Sequence, residues 1–193
     1  HFNHFAEAAL PEMVARHRQD SGRLRIWCAG CSTGEEPYTL AMLMREVLGN
    51  EYDRFAPVLL ATDISQVALR TAMAAVYPEE RLEQMPRGLL RKYLRKGPRP
   101  QTWQIGEEIR RQVIFRRHNL MNGSFPFKHP FDAVFCRNVM IYFDRPTRDA
   151  LIQRFHRHTI AGGYLYIGHS ESLNGIHDGY DSVQPAVYRR PPS

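Results

Sequence analysis

Four residues of this chain are placed to do chemistry, because Glu36, Asp63, Arg137 and Asn138 all stand at or just beyond the end of an apolar run. The first run, residues 24–28, leads into Gly30-Cys31-Ser32-Thr33-Gly34-Glu35-Glu36-Pro37-Tyr38, and helical periodicity follows. Two glycines and two hydroxyl residues let backbone N–H groups come close to a ligand, where a helix start also leaves amide donors unpaired. Gly30 and Ser32 would line such a cradle, although the same glycine spacing also serves merely to pack a strand on a helix. Glu36 has two readings: with Thr33 it forms a capping-box pattern, and a carboxylate at a helix start can also hold an ammonium group. Asp63 closes the second run, residues 57–63. An acid there accepts hydrogen bonds from both hydroxyls of a ribose, or caps the helix that follows. Arg137 and Asn138 come directly after the run 131–136, where a charge is costly unless paired or turned to a cleft. Tyr142 would lie above Asn138 if residues 139–142 make a helical turn, with a plain core tyrosine as the alternative.

The elements that must position these residues alternate. Strands are expected at 24–28, 57–63, 113–117, 131–136 and 163–167, and helices at 37–48, 65–75 and 145–159. Leu40, Met44, Val47 and Leu48 mark the buried face of the first of these helices. Asp144 is the expected N-cap of the last, and Gly162-Gly163 its stop. This order predicts an α/β fold with a doubly wound, mostly parallel sheet. Ligands in such sheets bind beyond the carboxyl ends of the strands, so Asn119-Leu120, after the third strand, joins the other polar ends in one crevice. Residues 78–112, rich in Arg, Lys, Pro and Gly, break the rhythm and read as an inserted helix and a small antiparallel subdomain with a strand at 102–105. Residues 1–20 carry Phe2, Phe5, Ala9, Leu10, Met13 and Val14 at helical spacing. They form an amphipathic linker helix that opens at His1 with no cap before it, as in a chain cut from something longer. The division is therefore 1–20, then 21–77 with 113–193, interrupted by 78–112, and the tail 190–193 is expected to be disordered.

Composition excludes several classes. At 193 residues, 43% hydrophobic and 24% charged, the chain is an ordinary globular one with its own core. The net charge of +6 invites a nucleic-acid reading, but it is spread from Arg16 to Arg190 without interleaved aromatics, and a basic face toward an acidic protein partner fits equally well; no nucleic acid is expected. No apolar run approaches the roughly 20 residues of a membrane span and no signal peptide precedes the first strand. Cys28, Cys31 and Cys136, odd and sparse for a disulfide framework, point to a reducing cytoplasm, and a monomer is expected. His156 and His158, two apart on a helix, point to different faces, and no metal site is expected. His169-Ser170-Glu171 imitates part of a hydrolase triad without a Gly-x-Ser-x-Gly elbow. Cys28 and Cys31 form a Cys-x-x-Cys after Trp27, the alternative of a dithiol oxidoreductase, but such a site needs its helix to start at the first cysteine. Here the helix is expected to begin only near Pro37.

The strings residues 25–38, Ala61-Thr62-Asp63-Ile64-Ser65, Asn119-Leu120, Phe131-Asp132-Ala133-Val134-Phe135-Cys136-Arg137-Asn138-Val139-Met140-Ile141-Tyr142-Phe143 and Gly168-His169-Ser170-Glu171 resemble, in order and spacing, the catalytic domain of chemotaxis receptor methyltransferases, the CheR family. The resemblance covers nearly the whole chain. It implies a Rossmann-like S-adenosylmethionine-dependent methyltransferase that esterifies glutamate side chains on the cytoplasmic part of methyl-accepting chemotaxis receptors and releases S-adenosylhomocysteine. By position it implies cofactor contacts at Glu36, Asp63, Asn119, Leu120, Arg137 and Asn138, with Tyr142 beside the reacting methyl group and Arg137 orienting anionic groups. The family's Thr-x-Phe-Phe-Arg motif would lie just upstream of His1. In some members a glycine-rich insert docks a peptide from the receptor's C-terminus. Lys96-Gly97-Pro98-Arg99-Pro100, at the corresponding place, is short and proline-bearing, which argues against that tether. A protein that binds the adenosyl cofactor without turnover, as a sensor or scaffold, is the non-catalytic alternative.

Overall fold

Apolar runs too short for helices and flanked by polar turns pair side by side, and in the computed structural model, which describes residues 1–20, 22–83, 85–173 and 179–192, they make one large sheet. Its strands are β1 (Arg25–Ala29), β2 (Val58–Asp63), β6 (Val113–Arg117), β7 (Phe131–Cys136), β8 (Thr159–Ile167), β9 (Asp181–Gln184) and β10 (Val187–Arg189). They lie in the order β6-β2-β1-β7-β8-β10-β9. The first five are mutually parallel, and β10 pairs antiparallel with both β8 and β9. The chain leaves β1 toward β2 and β6, then returns to the other side of β1 with β7 and β8. The reversal point, between β1 and β7, is where such sheets open a crevice.

Burial follows from this order. β7, near the middle of the sheet, is buried at all six positions, as a strand covered on both faces must be. One face packs Phe5, Leu10, Met13, Leu40, Met44 and Phe135. The other is centred on Trp27, whose ring meets Phe125, Phe127, Phe131 and Phe155 and whose Nε1 donates to Thr62 Oγ1 at 3.0 Å. The N-terminal helical segment, with a π turn at Phe5–Ala9, is fastened by the buried Asp132. That carboxylate lies 2.7 Å from His17 Nε2 and accepts the Arg25 N–H at 2.8 Å. Three short strands, β3 (Val76–Pro78), β4 (Leu94–Lys96) and β5 (Thr102–Ile105), form a separate antiparallel sheet in the order β3-β5-β4, beside the helix Arg87–Tyr93. This sheet already begins at Val76, ahead of residue 78.

Several local expectations are corrected. The helix expected from Pro37 spans Glu35–Leu48, because Gly34, at φ 95°, turns the chain into it without any side-chain cap. Val47 is exposed rather than on the buried face; Leu40, Met44 and Leu48 carry the packing. The last helix, Arg145–His158, has the expected Asp144 cap, with Asp144 Oδ1 accepting the Thr147 N–H. It stops at His158, and Gly162-Gly163 lie inside β8, where Gly162 at φ 73° marks an irregularity in the pairing with β7. The tail is anchored at its start, since the Arg190 guanidinium donates to the carbonyls of His156 and Thr159; Ser193 lies outside the described residues. The hairpin β9–β10 was not read from sequence at all.

Candidate cofactor site

Beyond the carboxyl ends of β6, β2, β1 and β7 lies a cleft of about 1060 Å³, lined among others by Gly30, Ser32, Glu36, Asp63, Asn119, Leu120, Arg137, Asn138 and Tyr142. Every residue singled out for a site therefore faces one opening, from four adjacent strand ends.

Four amides of the loop after β1 are already engaged within the protein. Its Gly30 and Cys31 N–H groups donate to the Thr62 carbonyl at 2.8 and 2.9 Å, the Gly34 N–H to Cys31 O, and the Ser32 N–H to Asp63 Oδ2 at 2.8 Å. These amides hold the loop to β2 and are spent inside the protein. Ser32, a non-glycine at φ 49°, carries backbone strain there.

Asp63 fixes its own turn as well, since Oδ1 accepts the Ser65 N–H at 2.8 Å. It is not the helix N-cap: that place belongs to Ser65, whose Oγ accepts the Ala68 N–H. With one backbone donor on each oxygen, the Asp63 carboxylate is rigid, half-buried and still has lone pairs turned to the cleft. Those can accept two hydroxyls.

Glu36 does not close a capping box. Thr33 Oγ1 turns instead to Glu35 Oε2, and Glu36 reaches across to Arg137, whose Nη1 donates to its Oε2 at 2.6 Å. Glu36 Oε1 accepts the Cys28 Sγ–H at 3.1 Å. Both partners of the ion pair are mostly shielded from solvent, at 25% and 18% side-chain exposure, so the charges are strongly coupled. The Arg137 guanidinium also lies 5.5 Å from the centre of the Phe2 ring, and its buried Nε has no hydrogen-bond partner among the described residues. A fixed anion beside a fixed cation, with an unsatisfied donor nearby, suits a zwitterionic amino-acid group.

The thiols contradict a redox centre. Cys28 and Cys136 are fully buried, and burial pushes both well above the usual thiol range. Burial pushes Cys31 up to about 12, with the Asp63 charge adding to it. All three thiols are free. Cys28 lies within β1, seven positions before the helix starts at Glu35, so no helix dipole favours its thiolate.

On the other side, Asn119 Oδ1 accepts the Met121 N–H, and the Leu120 carbonyl takes a hydrogen bond from the buried Arg154 at 3.0 Å. Leu120 thus offers an apolar wall held from behind. Asn138, at φ 59°, and the short 3₁₀ turn Met140–Tyr142 follow β7. The expected helical turn is present, and it leaves Tyr142 80% exposed at the rim. Phe2, Arg81 and His118 also line the cleft and were missed; only a fold brings them there. Also missed was Glu171, whose carboxylate underlies the turn after β7. Its sequence signal was the Gly168-His169-Ser170-Glu171 string just past a buried strand, which carried part of the family resemblance without a role for Glu171. Among the described residues no cluster of three His, Cys, Asp or Glu could hold a metal ion, and no helix is long and apolar enough to cross a membrane.

The residues fit an adenosyl-sulfonium cofactor: a rigid acid for ribose, a paired acid and base for an amino-acid end, an apolar wall, and room for all three. Comparison with known proteins agrees. Residues 1–188 match the family described as CheR methyltransferase, SAM binding domain. A chemotaxis protein methyltransferase of Borreliella burgdorferi is 39% identical over 191 residues, 98% of this chain and 67% of that protein. A probable chemotaxis protein methyltransferase of Rhizobium etli is 38% identical, over 98% of this chain and 70% of the relative. Chemotaxis protein methyltransferase 2 of Pseudomonas aeruginosa is 41% identical, over 93% of this chain and 64% of its own length. The chain thus spans about two thirds of the length of these relatives.

Proposed function

The chain belongs to the CheR methyltransferase family, and from that premise we propose that it binds S-adenosylmethionine in the cleft between β1 and β7 and esterifies glutamate side chains of chemoreceptor cytoplasmic domains. The observation that carries this reading is the meeting of Asp63, the Glu36–Arg137 pair, Asn119-Leu120 and Asn138 at four adjacent strand ends. In this reading the chain works in the cytoplasm, with residues 21–77 and 113–193 as the catalytic body and 78–112 as an inserted subdomain.

When bound, S-adenosylmethionine supplies an electrophilic methyl group, which passes to an acceptor carboxylate oxygen as S-adenosylhomocysteine departs. The acceptor glutamate, with an ordinary pKa of about 4.3, is already ionised at neutral pH, so the protein need supply no general base. Its work is positional. Asp63 would hold the ribose hydroxyls, Glu36 the ammonium and Arg137 the carboxylate of the amino-acid end, and Leu120 and Asn119 would take the adenine. Leu120, Val139 and Phe143 give the cleft an apolar lining that favours the mutual neutralisation of an anionic acceptor and a cationic donor. Tyr142, at the rim, aligns the acceptor by a hydrogen bond from its hydroxyl. Holding the two partners in line supplies much of the rate.

Incubation with tritiated cofactor and receptor cytoplasmic fragments tests the proposal. Alkali-labile label on receptor glutamates is the expected result. Tight binding of S-adenosylhomocysteine without transfer would favour a sensor or scaffold, and label on RNA would overturn the substrate assignment.

A further inference from the structure

The loop that carries Arg137, Asn138 and Tyr142 is held by a side chain that never reaches the cleft. Glu171 lies just past β8, is 7% exposed, and is absent from the cleft lining. Its carboxylate accepts four backbone N–H groups. Oε1 takes those of Met140 at 2.7 Å and Ile141 at 3.1 Å; Oε2 takes those of Gly168 at 2.5 Å and Asn138 at 3.1 Å. Three of the four donors lie between Arg137 and Tyr142.

That segment needs holding. Asn138 is in the left-handed region at φ 59°, a conformation costing a non-glycine residue about 1 kcal/mol or more that persists only where the surroundings impose it. The N–H groups opening the 3₁₀ turn Met140–Tyr142 are of the kind a helix start leaves without internal partners. A buried carboxylate satisfies them, and they in turn satisfy its charge, so neither can be removed without orphaning the other. Two glycines press the loop from its flanks. A Cβ on Gly168 would stand 2.3 Å from Asn138 Oδ1, and one on Gly30 would stand 2.4 Å from Val139 Cγ2.

We infer that Glu171 is a positioning residue of the cofactor site, its buried carboxylate fixing the 138–142 turn so that Asn138 and Tyr142 meet cofactor and acceptor in one geometry. The inference rests on the cofactor reading above. Glu171→Gln keeps the side chain's shape but turns an NH₂ group toward two N–H donors, leaving one oxygen to serve the rest.

Calorimetric titration with S-adenosylhomocysteine of the unaltered chain, Glu171→Gln, Asn138→Ala and the double variant tests it, alongside thermal melts and amide exchange at residues 138, 140 and 141. The expected result is a loss of affinity of about ten- to hundredfold in Glu171→Gln, the range typical of outer-shell partners, with faster exchange at those three amides. In the double variant the loss is smaller than the product of the single losses, because Glu171 acts through Asn138. Gly168→Ala, whose Cβ would stand 2.3 Å from Asn138 Oδ1 and 2.7 Å from Glu171 Oε2, disturbs both sides of the same contact and reproduces the loss. A folded Glu171→Gln that binds like the unaltered chain, or losses that simply multiply while loop exchange is unchanged, would overturn the inference. No binding by the unaltered chain would overturn the cofactor reading itself, and shows before any substitution is made.

Discussion

At the scale of single residues, the site is a set of charges whose hydrogen bonds within the protein leave defined capacity for a ligand. Asp63 spends one lone pair per oxygen on the Ser32 and Ser65 amides. Asp63→Ala therefore removes a tie between the β1 loop and β2 and, in the proposed reading, the ribose contacts. S-adenosylhomocysteine binding, measured by calorimetry, is expected to weaken by about 1–3 kcal/mol, with a smaller fall in stability. Glu36→Gln leaves the Arg137 guanidinium without its anion in a mostly shielded place, and should weaken the same binding by about 1.5–3 kcal/mol. The thiols give the opposite prediction. Burial raises all three, so Ellman's reagent should react slowly with the native chain and titrate all of them only after unfolding. Rapid reaction of Cys28 and Cys31 in the native state would reopen the dithiol reading. At this scale the sequence was legible wherever a polar residue ended an apolar run, as at Asp63 and Arg137. It misled where two partners were possible, as with Glu36, whose carboxylate took a guanidinium 101 positions away rather than its own helix start.

At the scale of elements, the close approach of loops decides which residues are tolerated. Gly30 sits at φ 77° with Val139 against it, so Gly30→Ala combines backbone strain with a clash. Urea denaturation should show a loss of about 1–3 kcal/mol, and cofactor binding should fall with it because the 138–142 turn is displaced. Asp132→Ala acts on a different joint, orphaning the Arg25 N–H and removing one partner of His17 beneath the N-terminal helix. A loss of about 2–4 kcal/mol is expected, with an unchanged m-value. Strands β6 and β7 were legible to the residue because their apolar runs end abruptly at turns. The end of the helix at His158 was not, since Gly162-Gly163 is as good a signal for an irregular strand as for a helix stop.

At the scale of the whole molecule, half-buried histidines couple the fold to pH. Burial lowers His118 and His158 from about 6.5, with Arg154 and Arg157 respectively adding to it; both rings pack on Phe125. The unfolded chain therefore binds protons that the folded chain resists. Their contribution to stability is complete above the unfolded value of about 6.5 and is lost as pH falls through it toward the folded values. Denaturant midpoints should drop between about pH 7.5 and pH 5.5, and less steeply in His158→Phe. The sequence by itself determined the alternation of strands and helices and the polar strand ends, because those follow from local periodicity and from the cost of burying charge; the class of ligand came from the motifs that resemble the methyltransferase family. Only the tertiary structure decided that the Gly30, Cys31 and Ser32 amides bond to β2 and its end, that Glu36 pairs with Arg137, and that Glu171 underlies the turn after β7. Each is a contact between groups distant in the chain, and which of several chemically suitable partners a buried polar group takes is set by which one the packed sheet brings within hydrogen-bond reach.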